Sequence, residues 1–272
     1  MNSNLHPDLV RSAELLDHAR VTREPTTQDR LGTLPSLQSA YDIQSAGVAL
    51  RTHAGDKACG LKMGFTSRAK MAQMGVFEMI IGQLTSTMRV PDGGSLDTTA
   101  FIHPRVEPEI AFLLGNDLPD DAEADDFIRC VDAVAPALEI IDSRYTDFRF
   151  DLNAVVADNT SAAAFVVGGW RKVSRDIDNL GLAMAVIDEH TPGPRTATQS
   201  GSTAAILGNP WRSLNAAARL AARHRLSVPA GSILLAGAAT AALPLPTRGR
   251  VDLEMAGMGR MRLWLSEPSA VH

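Results

Sequence analysis

The sequence predicts a β-rich α+β fold: a helical N-terminal segment over residues 1–57 packed on a main domain over 58–272. Three observations carry that expectation. Apolar residues recur at helical spacing chiefly near the start, and from Ala58 onward short β-like runs are punctuated by Gly and Pro. The few later helical stretches do not alternate regularly with those runs, which disfavours a doubly wound sheet.

Taken in order, Leu9, Val10, Ala13, Leu16 and Ala19 space a first helix. Leu37, Tyr41, Gln44, Val48 and Leu50 space a second, with Ser36 placed to cap it. About nine strands follow, in the runs ACGLKMGF, QLTSTMRV, RVEPEIAFLLG, APALEIID, AAAFVVGG, LAMAVIDE, SILLAGA, RVDLEMAG and GRMRLWL. Helical interruptions are expected in SRAKMAQMG, with Ser67 as cap and Gly75 as stop, in DDAEADDFIRCVDAV and in TDFRFDLNAVVA. Another is expected in NPWRSLNAAARLAARHR, with Asn209 as cap and Pro210 at the first helical position. AGMGRM reads as a hairpin turn, since no helix pattern follows it.

At 272 residues and 45% hydrophobic content the chain can bury a sizeable core. Its net charge of −5 comes from interspersed charges of both signs, which argues against a nucleic-acid partner. No stretch supplies the roughly 20 apolar residues of a membrane span, and the start lacks a basic region leading into an apolar one, so the chain reads as cytoplasmic. The two cysteines, Cys59 and Cys130, are far apart among apolar neighbours; they read as core residues, neither a disulfide framework nor a zinc site. DLPDDAEADD lacks the central glycine of a calcium loop, and neither a G-x-S-x-G elbow nor an H-x-x-x-H pair is present.

The stretch HPRVEPEIAF places Glu107 and Glu109 two residues apart in a run otherwise built for burial. On a strand they share a face, roughly 6 to 7 Å apart, together with Ala111 and Leu113. Taken alone, the pair also suits a hydrated outer face. A third acid, Glu139, is the only charge in its apolar strand before Asp142. Three carboxylates on strands suit a hard divalent cation, Mg²⁺ or Mn²⁺, which offsets their repulsion. Lys62, in the Gly-flanked run GLKMGFTS, either snorkels from a strand edge or stabilises negative charge developing on a substrate. DSRYTDFRFDLNAVVADNTS is dense in polar groups, among them Asp142, Ser143, Arg144, Asp147, Asp151, Asp158, Asn159 and Ser161, of a kind that also serve caps and loops.

Together GLKMGFTS, AKMAQMGV, VPDGG, HPRVEPEIAFLLG, ALEIIDSRYTDFRFDLNAVVADNTS and PAGSILLAGAATA resemble the 2-keto-4-pentenoate hydratase and 4-oxalocrotonate decarboxylase family, within the fumarylacetoacetate hydrolase superfamily. The resemblance covers nearly the whole chain. It implies a mixed-sheet roll of the fumarylacetoacetate hydrolase C-terminal type as the catalytic domain. It also implies a metal triad of Glu107, Glu109 and Glu139, an active-site lysine at Lys62, and substrate contacts from Arg144, Asp158, Asn159, Ser161 and Thr240. The cofactor implied is Mg²⁺ or Mn²⁺ and the substrate a small 2-oxo acid from meta-cleavage degradation of aromatic compounds. Implied partners are further copies of the chain and a related hydratase. The hydratases carry an acid where VFEMIIG presents Ile80, and isoleucine cannot transfer a proton, which favours decarboxylation. Arg68 and Ala236 depart from the family pattern and bear on substrate identity. The alternatives are a hydratase, an acylpyruvate hydrolase, and a non-catalytic subunit of a decarboxylase–hydratase complex.

Overall fold

The computed structural model describes residues 6–67, 78–119, 124–190 and 193–266; Arg68 and all but Ser67 of the expected SRAKMAQMG helix lie outside them. The N-terminal segment holds α1 (Pro7–Thr22) and α2 (Leu37–His53), which pack through Ala13, Leu16 and Ala19 of the first and Ala40, Tyr41, Ile43 and Val48 of the second. Ser36 caps α2 as expected, its Oγ accepting from Ser39 N at 3.1 Å.

The remaining chain builds two sheets. The larger contains β1 (Ala58–Gly64), β2 (Ile80–Thr85), β3 (Arg89–Pro91), β5 (Arg105–Leu114), β6 (Val131–Ile141), β7 (Ala162–Val167), β8 (Arg171–Lys172), β11 (Ile233–Leu235) and β12 (Leu243–Pro244). Its order is β2-β1-β11-β5-β6-β7-β3, with β12 beside β5 and β8 beside β6. β1 runs parallel to β11 and β3 to β7; the other pairs are antiparallel. The smaller sheet, ordered β10-β9-β13-β14-β4, contains β4 (Ser95–Asp97), β9 (Gly181–Asp188), β10 (Arg195–Ser202), β13 (Gly249–Met255) and β14 (Gly259–Ser266). AGMGRM forms the β13–β14 hairpin turn, with Met255 opposite Gly259.

Because side chains alternate along a strand, the larger sheet has two different faces. Leu61, Met63, Ile81, Ile110, Phe112, Leu138 and Leu234 join the main core with α1, α2, α4 (Leu152–Ala157) and α5 (Trp211–His224). The opposite face carries a separate cluster built on Ala111, Ala135, Ala137, Phe165 and Leu235. The sheet closes on that second face. Asn159, in the turn leading into β7, uses its side-chain amide as a strand would: Oδ1 accepts from Gln83 N at 2.7 Å and Nδ2 donates to Gln83 O at 2.8 Å. Thr160 Oγ1 adds a bond to Ile81 O at 2.9 Å, so β2 is fastened to the approach to β7 and the sheet becomes a roll.

Several boundaries differ from expectation. Within DDAEADDFIRCVDAV the described residues show a helix at α3 (Ala124–Arg129), and Val131 onward is strand where helix was expected. β6 starts four residues before APALEIID because β5 pairs it back to Val131, and that long ladder outweighs local helical spacing. TDFRFDLNAVVA is a 3-10 turn followed by α4, broken by left-handed Asp147 and Phe148. QLTSTMRV divides into β2 and β3 around a 3-10 turn at Ser86–Met88. β10 was not expected: RTATQSGS has no apolar alternation and lies largely exposed along a sheet edge. Cys59 and Cys130 are only partly buried, the first at a β-bulge and the second at the turn into β6. The first helical residue of α5 is Trp211, one later than expected, and Asn209 Oδ1 does accept from Trp211 N at 3.0 Å.

Candidate metal centre

Register brings the three glutamates together. Glu107 stands directly opposite Glu139 across the β5–β6 ladder, and Glu109 lies two residues along on the same face. One carboxylate oxygen from each lies within 4.8 Å of the others. Relative exposures are 7% for Glu107, 0% for Glu109 and 1% for Glu139, so water cannot hydrate three charges here.

Lys62 reaches the same face through the pairings Lys62–Leu235 and Leu235–Ala111. Its Nζ lies 3.0 Å from Glu139 Oε1 and donates to Thr160 O at 3.0 Å. The stem has room because its cross-strand partner is Gly82, where a Cβ would stand 2.7 Å from Asn159 O and 3.0 Å from Lys62 Cδ. Glu109 is aimed by a second glycine: its Oε2 accepts from Gly237 N at 2.7 Å. Gly237 has φ +103° and backs onto Thr66, whose Oγ1 would lie 2.1 Å from an added Cβ, so no other residue fits. Ala236, just before it, is fully buried.

Lys62 is the cation that the described residues set against Glu139. Burial, then Glu139, drives the Glu109 carboxyl well above its ordinary range, against the pull of Lys62 and the Gly237 N–H. Burial also raises Glu139, opposed chiefly by Lys62. Glu109 Oε1 and Glu139 Oε2 are buried with no hydrogen-bond partner. Two orphaned carboxylate oxygens beside a third acid fit an oxygen-seeking divalent cation of the Mg²⁺ or Mn²⁺ type.

The other expected site residues surround this cluster in different ways. Asn159, Thr160 and Ser161 are consecutive left-handed residues, with φ of 49°, 54° and 57°. Such backbone costs roughly 1–2 kcal/mol per residue and persists only where the surroundings hold it. Here it delivers the Thr160 carbonyl to Lys62, while Ser161 Oγ is buried without a partner. Arg144 and Asp158 form a buried ion pair, and Arg144 Nη1 donates to Asp142 O at 2.6 Å and Ala162 O at 3.2 Å. Burial pushes the Asp158 carboxyl up to about 6, against the guanidinium. Asp142 accepts from Ile102 N at 2.9 Å and His103 N at 2.8 Å, knitting the same turns together. Thr240 Oγ1 donates to Ala241 O at 3.1 Å. Ile80, fully buried, sits opposite Gly64 on the Lys62 face, one step along from the Lys62–Gly82 pair. Sequence reasoning missed Gly82, Gly237 and the Thr160 carbonyl; the only signal was glycine inside β-like runs, which marks close approach without saying to what.

Asn159 offers a direct check on the turn. Asn159→Asp turns the donor facing Gln83 O into an acceptor, and should lower the unfolding free energy by about 1–3 kcal/mol in denaturant titrations. An unchanged midpoint would mean that the side chain does not close the roll.

A rolled mixed sheet with three converging buried carboxylates and a lysine defines a fold with a seat for a hard divalent cation. No family model matches the chain. It is 47% identical to a 4-oxalocrotonate decarboxylase of Pseudomonas sp over 93% of this chain and 96% of that protein. It is 37% identical to a 2-keto-4-pentenoate hydratase of Burkholderia vietnamiensis (strain G4 / LMG 22486) over 84% of this chain and 86% of that one. The solved structure of 4-oxalocrotonate decarboxylase from Pseudomonas putida G7, complexed with magnesium and adipate, superposes with a TM-score of 0.85 at 34% identity, covering 97% of this chain and all of that one. The chain belongs to the 4-oxalocrotonate decarboxylase and 2-keto-4-pentenoate hydratase family. No helix among the described residues is long and apolar enough to cross a membrane.

Proposed function

We propose that this protein is a Mg²⁺- or Mn²⁺-dependent decarboxylase that converts 4-oxalocrotonate (2-oxo-3-hexenedioate) to 2-hydroxypenta-2,4-dienoate and CO₂. The observation that carries the reading is the convergence of Glu107, Glu109 and Glu139, all three buried, in a chain 47% identical to a decarboxylase of that name. In this reading the three glutamates hold the ion. When bound, the ion supplies Lewis acidity for the negative charge that gathers on the 2-oxo oxygen.

The chain's own groups do the rest. As the C5–C6 bond breaks, its electron pair becomes the C4=C5 double bond; the old C3=C4 pair moves to C2=C3, and the charge arrives on the 2-oxo oxygen, which takes a proton from solvent to give the 2-hydroxyl. Lys62 holds a positive charge beside that position, fixed by Glu139 and the Thr160 carbonyl, so little reorganisation is needed when charge develops. Ser161 Oγ, lacking a protein partner, is assigned to the substrate. Arg144, Asp158 and Asn159 act as positioning groups that hold the strained turn. Thr240, whose Oγ1 donates to Ala241 O, takes no part in the step. Bond cleavage needs no base, so Ile80 is compatible with CO₂ loss but offers no proton for water addition. Assembly into a homo-oligomer and association with a related hydratase are part of the same reading, and light scattering of the protein alone and mixed with such a hydratase would test both.

Purified protein with Mg²⁺ should release CO₂ from 4-oxalocrotonate, with the dienoate identified by mass, and leave added 2-hydroxypenta-2,4-dienoate unhydrated over the same period. Rapid formation of 4-hydroxy-2-oxopentanoate from the dienoate would overturn the assignment in favour of a hydratase.

A further inference from the structure

Arg105 is exposed, and its guanidinium makes no hydrogen bond or ion pair among the described residues. Among the described residues its partner is aromatic: Cζ lies 4.4 Å from the centre of the Phe148 ring. His103 packs on the same ring at 4.6 Å between centroids, so the platform under the guanidinium is itself held. Phe148 and its neighbour Asp147 adopt φ of 56° and 57°, left-handed backbone that bulky residues rarely take, and the chain bears that strain to bring the ring here. An arginine stacked by its face keeps its N–H edge free for a planar bidentate acceptor.

The strand places this cation with respect to the glutamates. Arg105 and Glu107 are two apart on β5 and share the face that carries the cluster; Arg105 stands opposite Ile141 as Glu107 stands opposite Glu139. Residues two apart on a strand are separated by about 7 Å. The carboxyl carbons of an extended six-carbon diacid lie about 6 Å apart, by five carbon–carbon bonds of ordinary length. A substrate held by its 2-oxo acid end at the glutamates thus has its other end at the level of Arg105.

We infer that Arg105, stacked on Phe148, receives the distal carboxylate of the substrate and sets the preference for 2-oxo diacids over 2-oxo monoacids. This rests on the metal-centre reading above. The role has a kinetic signature. The distal carboxylate is the group that leaves, and it loses its charge as CO₂ forms, so the ion pair is stronger in the ground state than in the transition state. Such a contact governs binding and does not accelerate the chemistry.

The test uses the Mg²⁺-loaded protein and two unreactive probes, 2-oxohexanedioate and 2-oxohexanoate, titrated calorimetrically. Wild type should bind the diacid at least about tenfold more tightly. Arg105→Met should remove that preference while leaving 2-oxohexanoate affinity and melting temperature unchanged. With 4-oxalocrotonate, its KM should rise by a similar factor and kcat should stay level or increase. A retained diacid preference in Arg105→Met, or a fall in kcat at unchanged KM, would overturn the inference. Failure of wild type to bind either probe would instead overturn the metal-centre reading, and this assignment with it.

Discussion

Glu109→Gln is expected to abolish useful metal binding and, with it, turnover. Loss of a group that merely supports a metal ligand costs 10–100-fold in affinity, so loss of a fully buried ligand should cost more than about 100-fold for Mg²⁺ or Mn²⁺. The same variant should behave unusually without metal. Glu109 and Glu139 are both raised, burial being the largest cause for each. The folded protein therefore keeps protons that the unfolded chain releases above about pH 4.3, and their contribution to stability falls as pH climbs from there through the raised values. Metal-free wild type should lose stability between about pH 5 and about pH 8, and the rise in melting temperature on adding Mg²⁺ should be larger at the higher pH. Glu109→Gln removes one of the two raised groups, so the metal-free variant should be the more stable protein at about pH 8 and show a shallower slope. A variant that melts lower than metal-free wild type at that pH would contradict the account of two carboxyls raised by burial.

Lys62→Met should lower kcat by more than about tenfold, within the range seen when a single preorganised charge-stabilising donor is removed. Methionine keeps much of the apolar stem against Gly82, so packing is largely retained. Metal affinity should hold or tighten slightly, because a cation that repels the metal is gone. KM should change little, since the charge Lys62 meets develops only during the reaction. An unchanged kcat would return Lys62 to a purely structural pairing with Glu139.

Much of the site was legible because it obeys short-range rules. Glu107 and Glu109 declare a shared strand face by spacing alone, and Glu139 draws attention as the lone charge in an apolar run. That Glu139 stands opposite Glu107, however, depends on a register between β5 and β6 that no local pattern reveals. The same ladder extended β6 back to Val131, where the residues taken singly look helical. β10 escaped notice because a largely wet strand has no apolar period to read. Gly82 and Gly237 could be seen only as glycines; their meaning lies in what approaches them, Lys62 and Thr66, and those contacts are long-range. Arg144 and Asp158 enter as substrate contacts only through the family resemblance; that they meet in a buried ion pair is a contact between two turns which no local pattern announces.

The alanines inside the roll bear on what the carboxylates can lean on. Ala111, Ala135 and Ala137, with Leu235 and Phe165, pack on the face that bears the glutamates, and Ala137 stands directly across the ladder from Glu109. A methyl group neither donates nor accepts a hydrogen bond, so this flank holds Glu109 by shape alone and leaves its unbonded oxygen to an arriving ion.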